Sequence, residues 1–136
     1  MFRKQLTEDL KEVFGFDKIR ICALDDESEV IYCYPREIVS TPIVGSGMTH
    51  FRVYCDLSIN QDEANGKFGY LHHRLLTSNS AVRNKFQIQS DETGSIQNLY
   101  DQHRVISTVQ IVWESDIEWN DAPQIEGGVI TDEVIE

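Results

Sequence analysis

The chain has 136 residues and a mass of 15.7 kDa, the size of one ordinary domain. It is 40% hydrophobic and 26% charged, the balance of a globular protein large enough to build a core without disulfide or metal staples. The formal net charge is −11, which disfavours nucleic acid as a partner because binding depends on Lys and Arg displacing phosphate counterions.

No apolar run approaches the ~20 residues that span a bilayer, so no membrane association is expected. The charged start, Met1-Phe2-Arg3-Lys4-Gln5, lacks the continuous apolar stretch of a signal peptide. Three cysteines cannot close a disulfide framework, and free thiols in a cytosolic setting are expected. Seven of the 23 acids and none of the 12 bases fall in residues 116–136, so sixteen acids face twelve bases in the rest of the chain.

Phe2, Leu6, Leu10, Val13 and Phe14 recur at helical spacing, with Lys4, Glu8, Asp9, Lys11 and Glu12 on the other faces, and Gly15 is a natural stop. Strands are expected at 18–24 and 29–34, joined in a hairpin through Asp25-Asp26-Glu27-Ser28. Pro35 should end the second, because it lacks the N–H that a ladder requires. Residues 40–49 look like a loop. A strand follows in which Phe51, Val53, Cys55, Leu57 and Ile59 alternate with Arg52, Tyr54, Asp56 and Ser58. Asn65-Gly66 marks a turn before a helix over about 67–78, whose apolar stripe is Phe68, Leu71, Leu75 and Leu76.

Phe86 and Ile88 begin another strand, with a turn at Asp91-Glu92-Thr93-Gly94. A strand near 96–100 and a long one over 104–115 complete the body. Ile106 and Val112 make the second face of the long strand apolar, as expected in a sheet covered on both sides. The order predicts an α+β domain over residues 1–116, with a mainly antiparallel sheet and helices packed on one face. Residues 117–136 are expected to form an acidic, extended C-terminal arm. Trp119, Ile125, Val129, Ile130, Val134 and Ile135 are scattered along it, broken by Pro123 and Gly127-Gly128. These suit docking on another surface, for instance as an added strand, and equally a frayed end or a strand on the chain's own sheet.

No phosphate-binding motif is present. Val44-Gly45-Ser46-Gly47 lacks the spacing and the strand–helix context of a nucleophile elbow. Cys22, Cys33 and Cys55 fall in separate expected strands with no Cys-x-x-Cys knuckle, and packing is their expected role. His72 and His73 are about 100° apart on a helix and cannot chelate together. Asp101-Gln102-His103 reads as a polar turn, and Asp25, Asp26, Glu27 and Glu29 as a solvated one without EF-hand spacing. No catalytic, cofactor-binding or metal site is expected, and no enzyme activity.

Three features carry a resemblance. They are the opening Phe2-Arg3-Lys4-Gln5-Leu6-Thr7-Glu8-Asp9-Leu10-Lys11-Glu12-Val13-Phe14-Gly15-Phe16, the Lys67-Phe68-Gly69-Tyr70 approach to a helix, and the closing Val109-Gln110-Ile111-Val112-Trp113-Glu114 strand with its tail. Over residues 2 to about 120 the chain resembles small virion proteins of tailed bacteriophages, in particular tail terminator or tail completion proteins. The resemblance implies a virion structural protein, made in the host cytoplasm, that forms a homo-oligomeric ring, commonly a hexamer. Such a ring caps the tail tube and joins it to the neck, with tail tube and neck proteins as partners and no sequence-specific nucleic-acid binding. A neck or baseplate adaptor is the alternative, and a small ligand-binding domain or enzyme a more distant one.

Overall fold

The structure, a computed structural model, describes residues 2–62, 64, 66–90, 93–99 and 102–118, with the backbone alone for 93–99 and 102–103. The arm residues Trp119, Ile125, Val129, Ile130, Val134 and Ile135 lie outside the described residues, as does Asp101.

Helix α1 spans Phe2–Phe14. All five apolar residues of its expected stripe are buried, and Gly15 ends it at φ +67°, its N–H donating to the Lys11 carbonyl at 2.8 Å. The remaining elements are β1 (Ile19–Arg20), β2 (Ile31–Ile43), β3 (Met48–Asp62), α2 (Tyr70–Thr77), a 3-10 turn over Ala81–Lys85, β4 (Phe86–Ile88), β5 (Thr93–Leu99) and β6 (Gln102–Glu118). They build an α+β fold. Six strands form one sheet in the order β1-β2-β3-β6-β4, with β5 pairing β6 as well. Every pairing is antiparallel except β1 with β2. Strand β3 holds one edge of β6 from Arg104 to Glu118, so β4 and β5 lie in succession along the other.

The helices share one core with one face of the sheet. The Phe2 ring packs 5.8 Å from Phe51 and 6.4 Å from Trp113, while Leu71 and Leu75 of α2 join the same cluster. The sheet contributes alternate residues, including Val53, Cys55, Leu57 and Ile59 from β3 and Val109, Ile111 and Trp113 from β6. At about 1.5–3 kcal/mol for each large side chain taken out of water, this face supplies most of the stability.

Asp9 departs from the amphipathic reading. It is only 2% exposed, on the buried side of α1. Its carboxylate accepts from Trp113 Nε1 at 2.9 Å, Lys85 Nζ at 3.1 Å and Gln5 Nε2 at 2.9 Å, tying α1, the 3-10 turn and β6 together. A buried carboxylate is tolerable when its oxygens are this fully engaged.

Several expected elements are redrawn. No hairpin joins 18–24 to 29–34: β1 is two residues long and runs parallel to β2. The acidic segment between them passes over the helix-free face, where Asn60 Nδ2 donates to the carbonyls of Asp25 at 2.9 Å and Glu27 at 3.3 Å. That cover buries Tyr32 and Asn60. Cys22 therefore sits in an exposed crossover, whereas Cys33 and Cys55 are buried in strands.

Pro35 does not end its strand. Beyond Tyr32, β2 has no neighbour on its outer side among the described residues, so a missing N–H there breaks no ladder bond. The supposed loop at 40–49 is the end of β2, a four-residue turn and the start of β3. Helix α2 is shorter than expected, and of its stripe only Leu71 and Leu75 are buried; Phe68 precedes the helix and is exposed, as is Leu76. Strand β5 begins at Thr93, and β6 takes in Gln102 and His103 and carries on through Ile117 and Glu118.

Candidate interface: the uncharged hairpin

Residues 38–49, Ile-Val-Ser-Thr-Pro-Ile-Val-Gly-Ser-Gly-Met-Thr, contain no Asp, Glu, Lys or Arg in a chain that is 26% charged. They form the distal part of the β2–β3 hairpin, paired from Ile38↔Val53 to Ile43↔Met48. Every residue from Arg36 to Gly47 is exposed, because the helical layer ends where Phe2 covers Phe51.

Local chemistry explains the tight turn. Gly45 and Gly47 adopt φ +81° and +72°, which side-chain-bearing residues rarely do. The Ser46 hydroxyl donates to the Ile43 carbonyl at 2.8 Å and accepts from the Met48 N–H at 2.9 Å. Ser46 is thus a turn-forming residue, its oxygen engaged on both sides, rather than a nucleophile.

The apolar side chains of this segment have nowhere to go within the described residues. Ile38 lies on the helix-bearing face, Val39 and Ile43 on the opposite face, and Val44 at the tip is 97% exposed. One or two exposed apolar residues are ordinary; four within seven positions of an uncharged strand edge mark a candidate contact surface. A shallow apolar hollow beside the turn is lined by Pro42, Ile43, Val44 and Met48.

A polar clasp lies just below, on the helix-free face. His50 Nδ1 is 2.6 Å from Asp116 Oδ1, and its Nε2 is 2.9 Å from Glu114 Oε1. The hydrogen bond with Asp116 raises the imidazole above its ordinary value of 6.5; partial burial opposes that shift, and Glu114 adds to it. Arg52 stands 3.9 Å from the same Glu114 and lies over the Tyr54 ring. The clasp fixes β6 against β3 at the root of the hairpin, where like-charged Glu114 and Asp116 would otherwise repel.

The polar residues weighed from sequence do not converge. Glu27 pairs with Arg20 at 2.9 Å and Lys18 at 3.9 Å, while Asp25 caps the N–H of Asp26. His72 and His73 sit on α2, away from His50. Among the described residues no group of three or more His, Cys, Asp or Glu is placed to hold a metal ion. Nor is any described helix long and apolar enough to cross a membrane. Cys33 and Cys55 lie near each other in the core, and the hydrogen bond between them, with burial, pushes the Cys33 thiol well up, towards an inert, protonated group.

The hairpin itself was hidden from the sequence reading, although its signal was present: twelve successive residues without charge. No family model matches the chain, and no curated protein sequence matches it.

Proposed function

We propose that the protein is a non-enzymatic structural subunit of a tailed-phage virion, a tail terminator. Its copies close into a ring, commonly of six, that caps the tail tube and meets the neck. The observation that supports this reading most is the hairpin, an exposed uncharged tongue at Ile38, Val39, Ile43 and Val44.

A ring subunit needs two unlike surfaces, one for each neighbour, and a strand edge offered by one copy to a different surface of the next meets that need. The order of elements and the strings quoted above supply the resemblance. The acidity of the chain suits a ring through which DNA passes without adhering, since like charge suppresses phosphate contacts.

Native mass spectrometry of the full chain, alone and with its tail tube protein, tests the reading. The expected result is one closed stoichiometry in which each subunit touches two neighbours through different surfaces. A monomer under both conditions overturns it. So does a two-fold dimer joined through one self-complementary patch.

A further inference from the structure

Among the described residues, the outer edge of β2 has a defined set of unpaired backbone groups. Ile31 donates outward, to the Lys18 carbonyl at 3.0 Å, so Cys33 and Pro35 also face outward. The ladder shifts register between Pro35 and Glu37, leaving Arg36 as an extra residue, and beyond it Ile38, Ser40 and Pro42 are the outward-facing ones. The two prolines have no N–H. The edge between them therefore offers the donors of Ile38 and Ser40, flanked by apolar side chains on both faces of the sheet. Whatever docks here must be short and must carry apolar side chains on both of its own faces.

One segment of this chain fits. Residues 129–135, Val-Ile-Thr-Asp-Glu-Val-Ile, run between Gly128 and Glu136, and five of the seven are β-branched. Val129 and Ile135 share one parity with Thr131 and Glu133 between them, and Ile130 and Val134 the other with Asp132 between them, so a strand made from them carries apolar side chains at its two ends on both faces. The described chain ends at Glu118, which pairs with Met48 at the hairpin's end. Residues 119–128 could bridge about 33 Å from there when extended.

We propose that residues 129–135 of a second copy of this chain add as a strand to the outer edge of β2, between Pro35 and Pro42. The inference rests on the ring reading and names the contact that would close the ring: the segment of one copy on the edge of the next, two different surfaces joined head to tail. A copy that filled its own edge would use up the uncharged surface without joining anything. Passing the segment to a neighbour covers that surface and links two subunits.

Full-length chains test it. In a Cys22→Ser background, where the remaining native cysteines are buried, a mass-tagged Ser40→Cys chain is mixed with an untagged Thr131→Cys chain and treated with a short bismaleimide. The expected product is an adduct between the two chains. Adding Ile38→Pro to the first chain, which removes an outward donor, should reduce its yield by up to about tenfold. Val134→Asp in the second chain, which leaves the edge untouched, should do the same. No adduct overturns the proposal. It also fails if linkage occurs only within one chain of a Ser40→Cys/Thr131→Cys double variant, or only between two Ser40→Cys chains. Native mass spectrometry of the same samples separates the two readings. A ring without the adduct rejects this contact and leaves the ring standing, whereas monomers throughout, with the tail tube protein added as well, reject both.

Discussion

The two ends of the β2–β3 hairpin follow the same pairing under different cover. From Phe51 to Ile59 the odd residues are buried beneath α1 and α2, and the strand is held by the chain's own core. Towards Met48 the helices are gone, and although Thr49 is still buried, the apolar side chains of the facing part of β2 stand in water. The covered end accounts for folding. The bare end contributes little to it, and it holds no charged residue anywhere in 38–49 that would make it better solvated. An apolar segment without an internal partner among the described residues points to a partner outside the monomer.

That contrast can be broken at several points. The largest effect on folding belongs to Asp9→Ala, which strips Trp113 Nε1 and Lys85 of their acceptor in the core. A loss of about 3–5 kcal/mol is expected in chemical unfolding, the cost of leaving a buried charged group's partners unmatched. Cys55→Trp overfills the covered end and should cost about 1–3 kcal/mol. Alkylation of Cys55 in the native protein should correspondingly be slow, and rapid labelling would mean that this part of the core opens readily.

His50→Gln probes the junction between the two ends. The folded imidazole is raised above its ordinary value, chiefly by Asp116. Its contribution is therefore complete below the unfolded value near 6.5 and disappears as pH climbs through the raised folded value. For a clasp this exposed the effect is about 0.2–1 kcal/mol. Unfolding curves at pH 5.5 and pH 9 should differ between wild type and variant only at the lower pH (about one unit below the imidazole's ordinary value, against well above it). The smallest folding effect belongs to Val44→Asp, within about 0.5 kcal/mol because the side chain touches so little. The same substitution should markedly weaken assembly by native mass spectrometry. If it unfolded the monomer instead, the two ends would not be separable.

Periodic elements were legible in the sequence. The stripe of α1 and the alternation of β3 follow from local spacing, and both recur in the structure because one face of each is buried. Asp9 could have been found by the same count: three residues after Leu6 and four before Val13, it lies on their face, and its charge alone put it elsewhere. The parallel placement of β1 depends on Asn60 capturing carbonyls some thirty residues earlier in the chain, which no local pattern encodes. The His50 clasp likewise exists only through the pairing of β3 with β6, across more than sixty residues. The hairpin was misread because its prolines and glycines are breakers in a central strand, whereas at an open edge and in a turn they are compatible with pairing.

The odd residue at Arg36 has a consequence for reading other chains. Pro35 and Pro42 are seven positions apart, and in an unbroken strand an odd interval sends one of the two rings towards the neighbouring strand, where its missing N–H would cost a bond. The extra residue converts the interval to an even one, and both rings turn to the open side. Two prolines at odd separation in a β-branched run thus announce, by arithmetic alone, an open edge with an inserted residue between them. Removing Arg36 should leave a regular ladder with both prolines still facing out.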